Sequence, residues 1–144
     1  MKAKQTVFRL TVASTPKSVA RVETFLKKVN RTLHLDEIVF HKLMISLTEA
    51  VNNAIIHGNK SVPAKRVHVQ CEVLSGWLVV IVDDHGRGFR PEQVLNPLKK
   101  ENLLRESGRG IFLMKTLMDK VEFESGRSGT QVRLWLNLGK QMPD

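Results

Sequence analysis

Between Thr48 and Gly58 the chain reads Thr-Glu-Ala-Val-Asn-Asn-Ala-Ile-Ile-His-Gly, a helical pattern whose polar residues fall where a packed helix would prefer apolar ones. The pattern begins upstream, with Ile38, Val39, Leu43, Ile45 and Leu47, and continues through Val51, Ala54 and Ile55. Its second half is apolar around much of its circumference, which predicts a central helix lying on a sheet. Asp36 is placed to cap it and Gly58-Asn59 to stop it. Glu49 and Asn53 stand four residues apart and therefore share one face. A carboxylate beside a carboxamide can hold a divalent cation through oxygen, or orient a water or hydroxyl for attack. The adjacent amides of Asn52 and Asn53 cost helix propensity and desolvation unless they find partners. For Glu49 alone a solvent-facing glutamate is the plain alternative, and His57 reads as a cap or structural hydrogen-bond donor rather than a catalytic group.

Around this helix the periodicities alternate between two and about 3.6. Residues Thr6 to Val12 alternate as a first strand, and Ser14-Thr15-Pro16 opens a helix carrying Val19, Val22, Phe25, Leu26 and Val29. After the basic link from Lys60 to Lys65, Val67, Val69, Cys71 and Val73 alternate, and Ser75-Gly76 turns the chain into Trp77 to Val82. The stretch 89–107 holds Pro91, Pro97 and the adjacent Lys99 and Lys100 with little regularity, and a connection that long in a small chain reads as a lid or binding loop. Gly108 begins a further helix with Ile111, Phe112, Leu113 and Leu117, and a second hairpin runs from Val121 to Leu138 across Gly126-Arg127-Ser128. Strand, helix, helix, two strands, loop, helix, two strands predicts an α/β two-layer sandwich: a mixed, mostly antiparallel sheet covered by helices on one face.

The 144 residues suit one domain, expected to span 1–144, and 42% apolar with 26% charged residues places the chain among globular proteins. Lys and Arg number 23 against 14 acidic residues, a formal +9 that favours an anionic partner such as nucleic acid, a polyphosphate or an acidic protein. The cations are scattered, so composition does not choose among these. With the single Cys71 in an alternating strand, no internal disulfide can form, no Cys/His metal cluster is in view, and a buried inert thiol is expected. No apolar run reaches signal-peptide or membrane-spanning length, which predicts a cytoplasmic chain with no membrane contact.

Three glycine-marked turns complete the inventory. Asp84-His85-Gly86-Arg87-Gly88 follows a strand ending in two carboxylates, where Asp84 can accept from the exocyclic amine of a purine. Taken alone, Asp-x-Gly-x-Gly also describes ordinary surface turns. Gly108-Arg109-Gly110 stands before an apolar helix, where free amides can face a polyphosphate and Arg109 can add a charge-assisted contact, though an ordinary loop and cap would read the same. Gly129-Thr130 opens the last strand. Neither a Walker-type loop nor Gly-x-Gly-x-x-Gly after the first strand is present.

In this order and spacing the pieces resemble the ATP-binding fold shared by gyrase B, Hsp90, histidine kinases and MutL, the Bergerat fold. More closely, the chain looks like the stand-alone serine-protein kinases that act as bacterial anti-sigma factors, the RsbW and SpoIIAB group. The likeness runs from Ser14-Thr15-Pro16 to the final Gly-Thr strand and includes Ile111-Phe112-Leu113-Met114 and Leu117-Met118-Asp119-Lys120-Val121. It implies Glu49 as catalytic base and Asn53 as Mg²⁺ ligand. It implies Asp84, Gly86 and Gly88 as the adenine box, with Asp84 on the adenine amine. Gly108 and Gly110 become the glycine pair beneath the phosphates, with Thr130 supporting the adenine-side hydrogen bonds and 89–107 the ATP lid. The cofactors implied are ATP and Mg²⁺. The implied partners are a STAS-domain anti-anti-sigma factor, phosphorylated on serine or threonine, and an RNA polymerase sigma factor. A homodimer through the sheet side opposite the pocket is also implied.

The rival readings are a non-catalytic ATP-binding regulatory module that sequesters a protein partner, a basic nucleic-acid-binding domain, and a detached histidine kinase catalytic domain. No zinc finger or aromatic RNA-binding pattern supports the second, so no direct nucleic-acid contact is expected. No phosphoacceptor-histidine helix precedes the domain, which directs the third toward an acceptor in another chain.

Overall fold

The computed structural model describes residues 6–86 and 106–139. The elements are β1 (Thr6–Ala13), α1 (Ser18–Leu33), α2 (Glu37–Asn53), a π-helical turn (Ala54–Gly58), β2 (Arg66–Leu74), β3 (Trp77–Asp83), α3 (Glu106–Leu117), β4 (Lys120–Gly126) and β5 (Gly129–Asn137). The five strands form one sheet in the order β1-β2-β3-β5-β4. Each of its four pairings is antiparallel, so among the described residues the sheet is antiparallel throughout rather than mixed. The chain leaves β3 in mid-sheet, passes α3 and reaches the far edge as β4, and β5 then returns between them.

Alternation fixes which face is buried. On β5, Thr130, Val132, Leu134 and Leu136 are buried while Gln131, Arg133 and Trp135 on the opposite face are half-exposed. Register carries the inner row across the sheet, with Leu10 opposite Val69, Val69 opposite Val82, and Val82 opposite Val132. The helices meet that row with Val22, Leu26 and Val29 of α1, Leu43, Leu47, Ala50 and Val51 of α2, and Ile111 and Met114 of α3. Successive buried positions on α1 recur every three or four residues, as one face of a helix requires. The outer face mixes polar and apolar side chains, with Glu122 and Glu124 paired to Arg133 and the Trp135 indole donating to Glu122 Oε1 at 2.7 Å. Val79, only 2% exposed, lies on that face in register between Glu72 and Trp135, and Ile81 and Trp77 flank it on β3.

Local chemistry explains most boundaries. Asp36 caps α2 as expected, its Oδ1 accepting from the Ile38 amide at 2.8 Å. Ser75 and Gly76 both take positive φ, 45° and 82°, the conformation that matches a two-residue turn to the twist of β2 and β3. The first helix begins at Ser18, later than Ser14-Thr15-Pro16, because Ser14 is spent elsewhere: its hydroxyl donates to Lys65 O. The third begins at Glu106, so Gly108-Arg109-Gly110 lies inside its first turns rather than ahead of it. Gly88 and the lid lysines lie outside the described residues, as does the lid itself up to 105.

Cys71 is fully buried on the inner row, and burial pushes its thiol up to about 12. Native protein at pH 8 should therefore resist alkylation by iodoacetamide and label completely only when unfolded, as read by intact mass. Rapid labelling under native conditions would contradict this packing.

Candidate functional site

Asp84 sits at the end of β3, only 8% exposed, with its carboxylate turned toward the helix layer. Its Oδ1 accepts two backbone donors, Gly86 N at 2.9 Å and Thr130 N at 3.1 Å, and its own amide donates to Thr130 O at 3.0 Å. Burial raises the Asp84 carboxyl above the usual carboxylate range, opposed by those two amides and by His85. A buried acceptor fixed by backbone on one oxygen suits recognition of an uncharged N–H donor.

Three backbone segments press against that carboxylate. A Cβ at Gly58 would run into the Asp84 carboxylate, and one at Gly86 would run into the Gly58 carbonyl. Gly129 has φ of 139°, and a Cβ there would strike the Asp84 carbonyl. Thus the helix end, the loop after β3 and the start of β5 converge on one residue, although Gly58 lies 26 positions before Asp84 and Gly129 lies 45 after it. Thr130 is 3% exposed, and its hydroxyl pairs with Ser125 Oγ at 3.0 Å.

The other half of the site lies along α2. Glu49 and Asn53 are half-buried and face α3. A Cβ on Gly110 would stand 2.7 Å from Glu49 Oε2 and 3.5 Å from Asn53 Nδ2, so α3 approaches this polar pair closely only because that position is glycine. Arg109, beside it, is exposed, as is His57. From Glu49 to Gly58 the helix rises about 13 Å, which separates the Glu49/Asn53 end from the Asp84 end. The residues therefore fit an elongated ligand with a donor-bearing ring at one end and an anionic, cation-binding group at the other.

Asn59, in sequence a helix stop beside Gly58, ties the site together in the structure. After Asn53 the helix widens, with the Asn59 amide bonded to Ala54 O at 2.8 Å. Fully buried Asn59 then donates from Nδ2 to Ser14 Oγ at 2.8 Å and Arg66 O at 3.1 Å, and accepts from His85 N at 2.7 Å. One side chain thus joins the end of β1, the start of β2 and the loop beside Asp84. The signal available in sequence was a polar amide directly after the helix-ending glycine, too common to single out.

The family model described as a histidine kinase-like ATPase domain matches residues 12–136. The anti-sigma F factor of Clostridium novyi is 35% identical over 114 residues, covering 77% of each chain. That of Anoxybacillus flavithermus is 35% identical over 124 residues, 83% of this chain and 81% of the relative. A solved structure of the RsbU and RsbW domains of a Mycobacterium tuberculosis protein superposes with a TM-score of 0.68 at 18% identity, over 92% of this chain and 32% of that one. A histidine kinase domain from the blue-light activated kinase of Erythrobacter litoralis gives 0.57 at 19% identity, over 85% of this chain and 62% of that one. At such identities the structures share the fold, and the chain spans about a third of the first and under two thirds of the second.

Two measurements check this geometry. Asn59→Ala removes three hydrogen bonds, one buried and two part-buried, and should cost about 2–4 kcal/mol of folding stability by urea unfolding; a loss within error would show that the node is dispensable. For Asp84, a raised pKa in the folded state means that the ionised carboxylate costs stability at neutral pH, a cost that fades as pH falls through that pKa. Asp84→Asn keeps an oxygen for both amides, so at pH 7 it should melt at or above the parent, and acidification should close the gap. A gap that widens on acidification would reverse the sign assigned here.

Proposed function

Because the chain belongs to the anti-sigma F factor family, with a histidine kinase-like ATPase domain, we propose that it is an ATP-binding anti-sigma factor and serine-protein kinase. Its acceptor is a STAS-domain anti-anti-sigma factor and its captive is an RNA polymerase sigma factor. The observation that carries the reading is the seating of Gly110 against Glu49 and Asn53, on the same helix whose end packs against Asp84. A polar pair on α2 and a buried carboxylate packed against the end of that helix suit the two ends of ATP.

In this reading Asp84 takes the adenine amine, with Oδ1 locked by Gly86 and Thr130. Gly108 and Gly110 let backbone approach the phosphates, the exposed Arg109 adds a charge-assisted contact, and Gly88 extends the adenine box. Asn53 offers its side-chain oxygen to Mg²⁺, which when bound neutralises phosphate oxygen charge. Glu49 orients the incoming serine hydroxyl and accepts its proton. Such transfer depends chiefly on positioning and on neutralising oxygen charge, so few side chains suffice. The single domain, 1–144, closes its 89–107 lid over the nucleotide. Among the described residues no helix is long and apolar enough to cross a membrane, in keeping with work on a cytoplasmic sigma factor. A homodimer through the outer sheet face accompanies this reading.

The decisive test is intact-mass measurement of the STAS partner after incubation with the protein and Mg-ATP. One added phosphate is expected, and Glu49→Ala should slow its appearance by about 10²–10⁴-fold while ATP still binds. Asn53→Ala should instead weaken Mg-ATP binding by about 10-fold or more, the loss of one charge-assisted contact. Unaltered transfer by Glu49→Ala would remove its role as base. Nucleotide binding and complex formation without any mass change would leave the non-catalytic sequestering module as the function.

A further inference from the structure

On the sheet face away from the helices, two histidines from different elements meet. His68 lies near the start of β2, opposite Thr11 of β1 and Asp83 of β3, and His85 follows β3 by two residues. Their Nε2 atoms stand 3.0 Å apart with the rings crossed at 89°. His68 Nδ1 is held by Thr11 Oγ1 at 2.9 Å. His68 is half-exposed, His85 is exposed, and both line a cavity of about 520 Å³ that also receives Asp83 and Glu124.

We propose that His68 and His85 form a two-nitrogen binding site for a divalent first-row transition-metal cation such as Zn²⁺ or Ni²⁺. Three features support it. Two imidazole nitrogens bound to one ion at about 2.1 Å lie about 3.0 Å apart at a right angle and about 3.4 Å apart at the tetrahedral angle, so the observed 3.0 Å stands at the near end of the range. The Thr11 hydroxyl can accept the His68 Nδ1 proton, which fixes the ring and leaves the Nε2 lone pair facing His85, the outer-shell arrangement that ligating histidines usually have. Asp83 and Glu124 bring negative charge to the same cavity, although Asp83 Oδ1 also accepts from Gln131 Nε2 at 2.9 Å and Glu124 also pairs with Arg133. Nitrogen ligands select this class over Mg²⁺ or Ca²⁺, which favour all-oxygen shells. Among the described residues no cluster of three His, Cys, Asp or Glu side chains is assembled, so water fills the remaining positions and the site is exchangeable rather than structural.

The location gives the ion something to act on. His85 lies between Asp84 and Gly86, and its amide is bonded to Asn59. An ion shared with His68 pins that loop to β2 from the face opposite the helices. The site requires no nucleotide, so its test is independent of the ATP reading.

The test is Ni²⁺ titration of ¹⁵N,¹³C-labelled protein in nucleotide-free buffer at pH 7.5, following the histidine ring signals. Paramagnetic broadening should strike His68 and His85 together, at concentrations at least about tenfold below those that affect His34, His41 and His57. In calorimetry with Zn²⁺, His68→Ala and His85→Ala should each weaken binding by at least about tenfold, since losing a ligand costs no less than losing an outer-shell partner. His41→Ala should leave it unchanged. Uniform broadening of all five histidines, or no broadening of His68 and His85, would overturn the proposal and leave a hydrogen-bonded pair. Zn²⁺ affinity unaltered in folded His68→Ala would do the same.

Discussion

The structure turns on one buried carboxylate. Asp84 cannot sit at 8% exposure without compensation, and two backbone amides supply it on a single oxygen. That arrangement dictates much around it. The start of β5 must present the Thr130 amide, so Gly129 adopts a conformation that a side chain would strain. The loop after β3 must fold back to offer Gly86 N, which brings it against the Gly58 carbonyl and excludes a Cβ from both positions. The helix that carries Glu49 and Asn53 is thereby tied to the same point. Asn59, bonded to the His85 amide, holds the remaining side of the junction.

Each motif near Asp84 is weak when read alone, because Asp-x-Gly-x-Gly and Gly-x-Gly occur in many turns. Their force comes from being required to meet. Glycines at 58, 86 and 129 serve one carboxylate environment, and Gly110 serves the Glu49/Asn53 pair. An ordinary surface turn would impose no such set of close approaches. The same logic sets two unlike polar groups apart: α2 fixes their separation, with Asp84 against its end and Gly110 of α3 against Glu49 and Asn53. The +9 charge is spread over the chain and plays no part in these close approaches.

Most of the fold was legible in the sequence because burial patterns impose the period of each element. The alternation of Val67, Val69 and Cys71, the Ser75-Gly76 turn and the Asp36 cap each arise from nearest-neighbour chemistry and appear where expected. The helical site residues were legible for a related reason, since polar groups on an apolar helix stand out against the period. What was not legible depends on contacts between distant segments. The delayed start of α1 follows from the bond between Ser14 and Lys65, and the role of Asn59 from partners at Ser14, Arg66 and His85. The widened turn at Ala54–Gly58 leaves no mark in composition, and nothing local announces that His68 and His85 meet. A wholly antiparallel sheet likewise depends on β5 inserting between β3 and β4, a matter of topology rather than of strand pattern.

The central claim is that the Asp84 junction is an adenine-recognition site continuous with the Glu49/Asn53 face. Equilibrium binding of ATP and GTP to the wild-type chain and to Asp84→Asn, in Mg²⁺, tests it most directly. The account predicts that wild type prefers ATP by at least about tenfold and that Asp84→Asn, though folded, loses that preference, because a fixed acceptor becomes in part a donor. Equal affinity for the two nucleotides in wild type, or an ATP preference that survives Asp84→Asn, would contradict it.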